Sequence, residues 1–332
     1  MSEHVASPAT TERRRLPVFR LQEGIGLLAI LVLIVVVLSS LSPVFLTQRN
    51  LLNLLIASTT IAMIAVFTTM LMVSGGLDLS VAATAALTGV VIAETQEALG
   101  IWGAAALGVA VSALVGAING FMVTVVRINP FITTLGMLSV ARGLAFVIAD
   151  GLTVPVFDPG FAQLSEGMIG PIPLPVAVTL TLFVAGWAVM RFTVYGRAMY
   201  AIGGNAEASA LAGVPVQRYR FIAYLLSGLS AGVAGVFLTS RLYAAAPQAA
   251  QGYELTVIAA VVLGGTSLAG GKGSLVGTFI GVLILAALTN GMTLLSLSTD
   301  YQQIIQGIVL LLAVGLDQIR VGSLGRLAAM RT

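Results

Sequence analysis

Long apolar runs, separated by short polar segments, fill the chain from about residue 24 to residue 319. Several runs reach the roughly 20 residues that a helix needs to cross the hydrocarbon core of a bilayer. The pattern therefore predicts an all-α, polytopic membrane protein of about ten transmembrane helices. Their expected ranges are 24–45, 50–74, 79–97, 101–126, 130–149, 172–194, 219–243, 253–268, 273–296 and 301–319.

Polar segments frame this membrane domain of 24–319. One polar tail covers 1–23, a second covers 320–332, and the longest internal loop is 195–218. The apolar run that starts at Gly24 follows a basic stretch, as in a signal peptide, but no small-x-small cleavage site comes after it. We interpret it as an uncleaved first helix.

The positions of the basic residues predict the orientation. With the N-terminus in the cytoplasm, 13 of the 16 Lys and Arg residues fall on the cytoplasmic side, Arg49 and Arg241 fall outside, and Arg142 lies within a helix. Cytoplasmic loops of membrane proteins carry an excess of Lys and Arg. Both termini and the loop 195–218 are therefore expected in the cytoplasm, and the Pro- and Gly-rich loop 150–171 outside.

Composition narrows the classes of function. Only 9% of the residues are charged, against roughly 25% in soluble domains, and 58% are hydrophobic. The chain has no cysteine and one histidine, His4 in the polar tail, which excludes thiol chemistry, iron–sulfur clusters and histidine-based metal sites or triads. We expect no catalytic residue, metal, cofactor or nucleic-acid partner. We expect membrane lipid to surround the protein.

The stretch GGTSLAGGKGS, residues 264–274, has the composition of a phosphate-binding loop but not its spacing. A P-loop needs Gly, four residues, and then Gly-Lys followed by Ser or Thr. Here Gly273 follows Lys272, Thr266 stands where the first glycine belongs, and both flanks are apolar. A tight turn without steric cost explains the glycines instead, with Lys272 at the cytoplasmic end.

Four ionisable side chains are expected at membrane depth or near a helix end. Arg142 must face protein or a water-filled cavity, because a charge inside the bilayer costs at least about 2.5 kcal/mol. Its candidate partners are Glu254 and Asp150; a structural ion pair between Arg142 and Glu254 and a role in lining a pathway both stay open. Asp78 precedes a helix, where it serves either as an N-cap or in the pathway.

Uncharged polar residues recur near helix ends and interiors, at Asn119, Asn129, Thr133, Thr134 and Asn290. Interhelical hydrogen bonds are the simpler role for each. The alternative is a polar, uncharged lining that suits a polyhydroxylated substrate. The helices contain no chain of Asp, Glu and His, which argues against proton-coupled transport.

Small residues line up four apart on three predicted helices. They are Gly108, Ser112, Gly116 and Gly120, then Gly228 and Gly232, and then Gly273, Gly277 and Gly281. This spacing lets helix backbones approach closely. Static packing and a surface along which helices shift both fit it.

Two segments of the chain are similar to each other. VSGGLDLSVAATAALTGVVIA begins at Val73, and VLGGTSLAGGKGSLVGTFIGV begins at Val262. Each joins a helix that runs inward to one that runs outward through a Gly-Gly turn, which indicates an internal duplication.

The internal loop contains GGNAEASALAGVP, residues 203–215. Asn205 is a good N-cap, the alanines favour a helix, and Gly213 and Pro215 are stop signals. The loop therefore predicts a short helix outside the membrane. It is either a connector or a docking surface for a cytoplasmic partner.

Four motifs make the chain similar to the membrane permease subunits of bacterial ATP-binding-cassette importers of the ribose type. They are SGGLDLSVAATAALTG (74–89), NPFITTLGMLSVARG (129–143), YAIGGNAEASALAGV (200–214) and GYELTVIAAVVLGGTSLAGGKGSLVGT (252–278). The resemblance implies translocation of a sugar or sugar-like solute across the bacterial inner membrane by alternating access, driven by ATP hydrolysis in a partner. An ion-coupled secondary transporter of a small polar solute is the alternative.

The resemblance also implies partners and residue roles. The partners are a cytoplasmic ATPase, a periplasmic solute-binding protein and a second copy of the permease. Coupling to the ATPase is expected at Gly203, Gly204, Asn205, Glu207, Leu211 and Gly213. The translocation pathway or its gate is expected at Asp78, Ser80, Asn119, Asn129, Thr133, Thr134, Gly264, Gly265 and Asn290. The loop 151–171 departs most from the family pattern, so the identity of the solute stays open.

Overall fold

Helices make up most of the computed structural model, which describes residues 21–329. The predicted tail 1–23 lies outside the described residues up to residue 20, and so do residues 330–332 of the second tail. The elements are α1 (Leu21–Leu41), α2 (Gln48–Val73), α3 (Val81–Thr124), α4 (Pro130–Ile148), β1 (Val154–Pro155), α5 (Pro159–Glu166), β2 (Met168–Ile169), β3 (Ile172–Pro173), α6 (Leu174–Phe192), α7 (Val194–Gly204), α8 (Ala206–Leu211), α9 (Val216–Leu242), β4 (Ala244–Ala245), α10 (Tyr253–Leu263), α11 (Leu275–Leu294) and α12 (Thr299–Ala329).

The long helices confirm a polytopic, mostly helical membrane protein. Among residues 21–329, six helices are long and apolar enough to cross a bilayer, namely α2, α3, α4, α6, α9 and α11. α10 is shorter than its predicted range of 253–268, because Gly264 caps it and Gly265 follows with a φ of +89°. α12 continues to Ala329, into the segment predicted as a tail.

α3 is a hairpin of two helices that reverses at Gly100. The backbone of Gly100 is non-helical, with φ 67° and ψ 161°. Thr88 and Gly108, 20 residues apart, would be separated by about 30 Å along one straight helix. Instead the Thr88 hydroxyl lies 3.4 Å from the carbonyl oxygen of Gly108. The two halves of α3 therefore pack side by side and antiparallel.

Small residues set the packing of α3 against α9. A Cβ on Gly116 would lie 2.9 Å from the Cα of Gly228, and a Cβ on Gly232 would overlap the hydroxyl of Ser112. Gly108 instead faces the first half of α3, where a Cβ would lie 3.0 Å from the Cγ2 of Thr88. The predicted stripe of small residues therefore serves two different helix contacts.

The loop predicted at 150–171 carries structure of its own. β1 pairs antiparallel with β4, so that Val154 lies opposite Ala245, and β2 pairs with β3. The hydroxyl of Ser240, in the last turn of α9, donates to the carbonyl of Phe161 at 2.7 Å. A hydrogen bond to the carboxylate of Glu166 raises the pKa of Tyr243. The loop is thus tied to the end of α9.

Candidate translocation and coupling site

Asp78 is the centre of a buried polar cluster between the α2–α3 turn, the second half of α3, and α9. Its Oδ1 accepts from the backbone N–H of Ser80 at 3.0 Å and from the Ser80 hydroxyl at 2.7 Å. Its Oδ2 accepts from the hydroxyl of Ser227 at 2.8 Å. Asn119 donates to the Ser80 hydroxyl at 2.9 Å, while its own Oδ1 is buried without a hydrogen-bond partner. One carboxylate thus joins three parts of the fold.

The capping role considered for Asp78 is wrong. Ser80 occupies the N-cap position of α3, and Asp78 lies two residues earlier. Asp78, Ser80 and Asn119 are each at most 2% exposed. Three of the nine predicted pathway residues are therefore brought together here, but inside packed protein and not on the wall of an open cavity.

One face of α9 holds the first Gly-Gly turn. Arg220 donates from Nε and Nη2 to the carbonyl of Ser74, at 3.2 and 2.8 Å. One turn further, the hydroxyl of Tyr224 donates to the carbonyl of Leu77 at 3.2 Å, and Ser227 then reaches Asp78. The spacing i, i+4, i+7 places all three side chains on one helix face. Sequence reasoning missed them, although this polar stripe in an apolar helix was a usable signal.

The first Gly-Gly turn, the glycines that precede α11 and the end of α7 meet at one point, which we call the glycine junction and define by residues 73–76, 203–204 and 270–273. The backbone N–H of Gly271 donates to the carbonyl of Val73 at 2.8 Å. A Cβ on Gly270 would lie 3.0 Å from the N of Gly75 and 3.2 Å from the Cα of Gly203. Gly75 and Gly270 have φ values of +81° and +84°, which favour glycine. Backbone therefore touches backbone where side chains would not fit.

Gly203 is the tightest point of the glycine junction. A Cβ there would overlap the carbonyl oxygen of Val73 and the N of Gly271. A Cβ on the neighbouring Gly204 would meet nothing within 4 Å. The hydroxyl of Tyr200, one turn earlier in α7, donates to the carbonyl of Gly273 at 2.9 Å. The end of α7 is therefore in direct contact with both of the similar segments, at Val73 and at Gly271.

The second Gly-Gly turn packs against the start of α11. A Cβ on Gly264 would lie 2.5 Å from the N of Thr278, whereas Gly265 faces open space. Ser267 donates to the carboxylate of Asp317 on α12 at 3.1 Å. This turn therefore links α10, α11 and α12, as the first turn links α2, α3 and α9.

The predicted short helix of the coupling loop is confirmed as α8. Asn205 caps it, because its Oδ1 accepts from the N–H of Ala208 at 2.9 Å. Glu207 lies in the first turn, and Gly213 ends the loop segment with a φ of +82°. Leu211 is 87% exposed, the largest exposure among the large hydrophobic side chains of the described residues. An apolar side chain of this kind at a helix end is suited to a partner's surface.

Three predicted pathway residues lie on α4 or at its start. Asn129 is the N-cap, and its side chain accepts from the N–H of Phe131 at 2.9 Å. Thr134 is buried and donates to the carbonyl of Pro130 at 2.9 Å. The hydroxyl of Thr133 is buried without a hydrogen-bond partner. The structure does not bring these residues to the Asp78 cluster.

Arg142 binds backbone and not a carboxylate within the described residues. Its Nη1 donates to the carbonyl oxygens of Pro247 and Ala249, at 2.5 and 2.9 Å. Glu254 attracts the guanidinium electrostatically, but its Oε2 is buried without a hydrogen-bond partner. Arg142 therefore holds the irregular segment between β4 and α10.

Asn290 forms a reciprocal amide pair with Asn50 across α11 and α2. Asn50 donates to Asn290 at 2.9 Å, and Asn290 donates back at 3.0 Å. Both side chains line a cavity of about 520 Å³ between α2, α10, α11 and α12. Asn50 was not singled out from the sequence, because a lone Asn at the first residue of a predicted helix carries no signal of its partner.

No metal centre is formed by the part of the chain that the structure describes, since residues 21–329 hold no group of three His, Cys, Asp or Glu side chains that could bind an ion.

Comparison with known proteins places residues 50–314 in the family described as "Branched-chain amino acid transport system / permease component". The chain is 41% identical to the ribose import permease protein RbsC of Bacillus subtilis, over 93% of this chain and 97% of that one. It is 43% identical to RbsC of Escherichia coli K12, over 90% and 94%. It is 40% identical to the L-arabinose ABC transporter permease protein AraH of Azospirillum brasilense, over 93% and 91%. No solved structure matches the chain significantly.

Proposed function

This chain belongs to the branched-chain amino acid transport system / permease component family, and we propose that it is the membrane-spanning subunit of an ATP-binding-cassette importer for a monosaccharide. The observation that carries the proposal is 40–43% identity to ribose and L-arabinose permeases over at least 90% of the chain. The protein is a multi-pass transport subunit of the inner membrane, and ATP hydrolysis belongs to a separate ATPase.

We propose ten membrane crossings with both termini in the cytoplasm. They are made by α1, α2, the two halves of α3, α4, α6, α9, α10, α11 and α12. In this topology basic residues gather on the inner side, in the loops and at the helix ends there, as membrane proteins carry an excess of Lys and Arg on that side. These residues are Arg127, Arg191, Arg197, Arg218 and Lys272.

α10 makes only part of its crossing as a helix. Its 11 residues extend about 16 Å, roughly half of the ~30 Å hydrocarbon core. The irregular segment 246–252 completes the crossing, and backbone at this depth needs hydrogen-bond partners inside the protein. Arg142 supplies two such bonds, to Pro247 and Ala249. Support of this segment is therefore the role that we assign to Arg142.

The glycine junction transmits motion from the ATPase to the membrane helices. We assign ATPase docking to α8 and its flanks, with Glu207 and Leu211 as contacts. A shift of α8 moves the end of α7, and Gly203 there touches Val73 and Gly271 without an intervening side chain. Tightly packed interfaces shift between discrete arrangements and do not deform continuously. Both of the similar segments therefore move with α7.

The Asp78 cluster passes the same motion to α3 and α9. Because Ser80 and Ser227 bond to the same side chain, the turn that carries Asp78 and the Ser227 region of α9 move as a unit. We propose that this unit and the turn at Gly264 and Gly265 form the inner gate. The full importer contains a second copy of the permease, an ATPase pair and a periplasmic solute-binding protein.

The test is monosaccharide uptake by vesicles that contain this protein, its ATPase and its binding protein. The Leu211→Ala variant removes an exposed apolar side chain, so the fold stays intact while docking weakens. Leu99→Ala is the matched control. Leu99 is also exposed, at 52%, but it lies where the α3 hairpin reverses, which the proposed topology places on the side of the membrane away from α8. We expect the first variant, and not the second, to lose sugar-stimulated ATP hydrolysis and uptake.

A pull-down of the ATPase and a size-exclusion profile separate loss of docking from loss of folding. Uptake that continues without any ATPase would overturn the proposal and point to an ion gradient. Equal activity of both variants would remove α8 as the coupling element.

A further inference from the structure

The cavity of about 520 Å³ lies between helix ends that the proposed topology places on the external side. Its walls come from the first half of α2, the later part of α11, the first turn of α10, the second turn of α12 and the end of α9. The polar side chains on these walls are Asn50, Asn53, Ser58, Arg241, Tyr253, Thr256, Thr289, Asn290, Thr293 and Gln306. Its volume falls within the roughly 300–1,000 Å³ of typical small-molecule sites. A second cavity of about 290 Å³ shares Thr256 and Gln306 with it and reaches Glu254.

The polar side chains among the apolar ones on the wall disfavour a lipid chain as the occupant. Amide and hydroxyl groups that face hydrocarbon without hydrogen-bond partners are costly to bury. Asn53 is exposed, and no side-chain hydrogen bond is formed by it within the described residues. Such groups at membrane depth face either water or a polar solute.

The hydrogen bonds in the wall leave capacity for a ligand. Gln306 donates to Thr289 at 3.3 Å and accepts from Thr256 at 3.3 Å, both long for such bonds. Asn290 uses one N–H for Asn50, which leaves its second N–H free. Long bonds of this kind are exchanged for ligand hydroxyls at little cost. Adjacent donors and acceptors on one wall match the vicinal hydroxyls of a sugar.

The charges on the wall disfavour a cationic ligand. Of the described residues that line the larger cavity, Arg241 is the only charged one. A buried cation would meet a like charge there, whereas a neutral solute needs only hydrogen bonds. We propose that this cavity is a binding site for a neutral monosaccharide within the protomer, occupied between delivery from outside and passage inward. The inference rests on the proposed function, which supplies the sugar.

The absence of cysteine from the chain makes the test direct. Asn53→Cys and Thr289→Cys each place a single thiol in the cavity, and Leu297→Cys places one in the exposed α11–α12 loop outside it. Each variant is reconstituted with the ATPase and treated from outside with a membrane-impermeant maleimide. D-ribose and L-arabinose are the probes, and labelling rates are measured with and without them.

We expect all three thiols to react and the sugar to protect only the two in the cavity. Protection follows occupancy, so labelling slows about tenfold when the sugar is present at about ten times its Kd. ATP-driven uptake of pentoses and hexoses is measured on the same preparations with the binding protein added.

The outcomes separate the site from the function. The binding site is refuted if the cavity thiols do not react, or if a sugar that the vesicles take up does not protect them. The proposed importer function is unaffected by either result. Vesicles of the unmodified chain that take up no monosaccharide overturn the proposed function, and this inference with it.

Discussion

Replacement of Gly203 by alanine tests whether the glycine junction carries the coupling. The new Cβ overlaps the carbonyl oxygen of Val73 and the N of Gly271, and both are backbone atoms that cannot turn away. Overpacking of this kind costs about 1–3 kcal/mol. Separation of the two atoms also breaks their 2.8 Å hydrogen bond, and an unsatisfied buried group costs about 1–3 kcal/mol more.

Gly204→Ala is the matched control, because its Cβ points into open space one residue further along the same helix. Alanine gains up to about 1 kcal/mol of helix propensity over glycine, so this variant is expected to be as stable as the unmodified chain or slightly more so. The two variants therefore differ only in whether the junction is disturbed.

Two measurements are made on both variants: the temperature at which half of the purified protein loses its monodisperse size-exclusion peak, and ATP-driven sugar uptake at a temperature where both remain folded. We expect a lower midpoint and strongly reduced uptake for Gly203→Ala alone. If the two variants behave alike in both assays, contact at Gly203 is neither tight nor required for coupling, and the reasoning is refuted.

Three further substitutions probe other parts of the fold. Gly116→Ala places a Cβ against the backbone of α9, at a cost of about 1–3 kcal/mol, whereas a Cβ in Gly136→Ala on α4 meets nothing within 4 Å. The yield of folded protein in the membrane should fall only for the first variant, and an equal yield would contradict the close approach of α3 and α9. Asp78→Leu leaves the buried hydroxyls of Ser80 and Ser227 without their acceptor, at about 1–3 kcal/mol each, whereas Asp78→Asn keeps one acceptor. The thermal midpoint should therefore be lower for Asp78→Leu than for Asp78→Asn, and the reverse order would contradict the cluster. Arg142→Ala frees the carbonyls that it binds, so backbone hydrogen exchange in 246–252 should rise, with unchanged exchange as the contrary result.

The apolar runs alone predict a helical membrane protein, because length and hydropathy decide whether a segment can cross a bilayer. They do not predict which faces meet. The contact between Gly203 and Gly271 depends on three turns far apart in the chain, and nothing local to GGN or GGK records it. The similarity of the two segments was visible in the sequence, but their position side by side was not.

Single polar residues were harder to interpret than motifs. Asn205 was predicted as a cap, since the cap and its helix are neighbours in sequence. Arg142 was expected to pair with a carboxylate, whereas its bonds go to carbonyls more than 100 residues away. A charge at membrane depth requires partners, but carbonyl groups have no signature in a sequence.

The partners of α2 come from the far end of the chain. Asn50 bonds to Asn290 across 240 positions, Thr69 bonds to Thr278 across 209, and Val73 accepts from Gly271. During synthesis α2 leaves the ribosome long before these partners exist. Until α11 is made, the polar side chains of α2 can form hydrogen bonds only with water or with the insertion machinery. A chain that stops after α9 contains all of α2 but lacks these hydrogen-bond partners. Quality control can therefore detect an unfinished copy by the exposed amides and hydroxyls of its second helix.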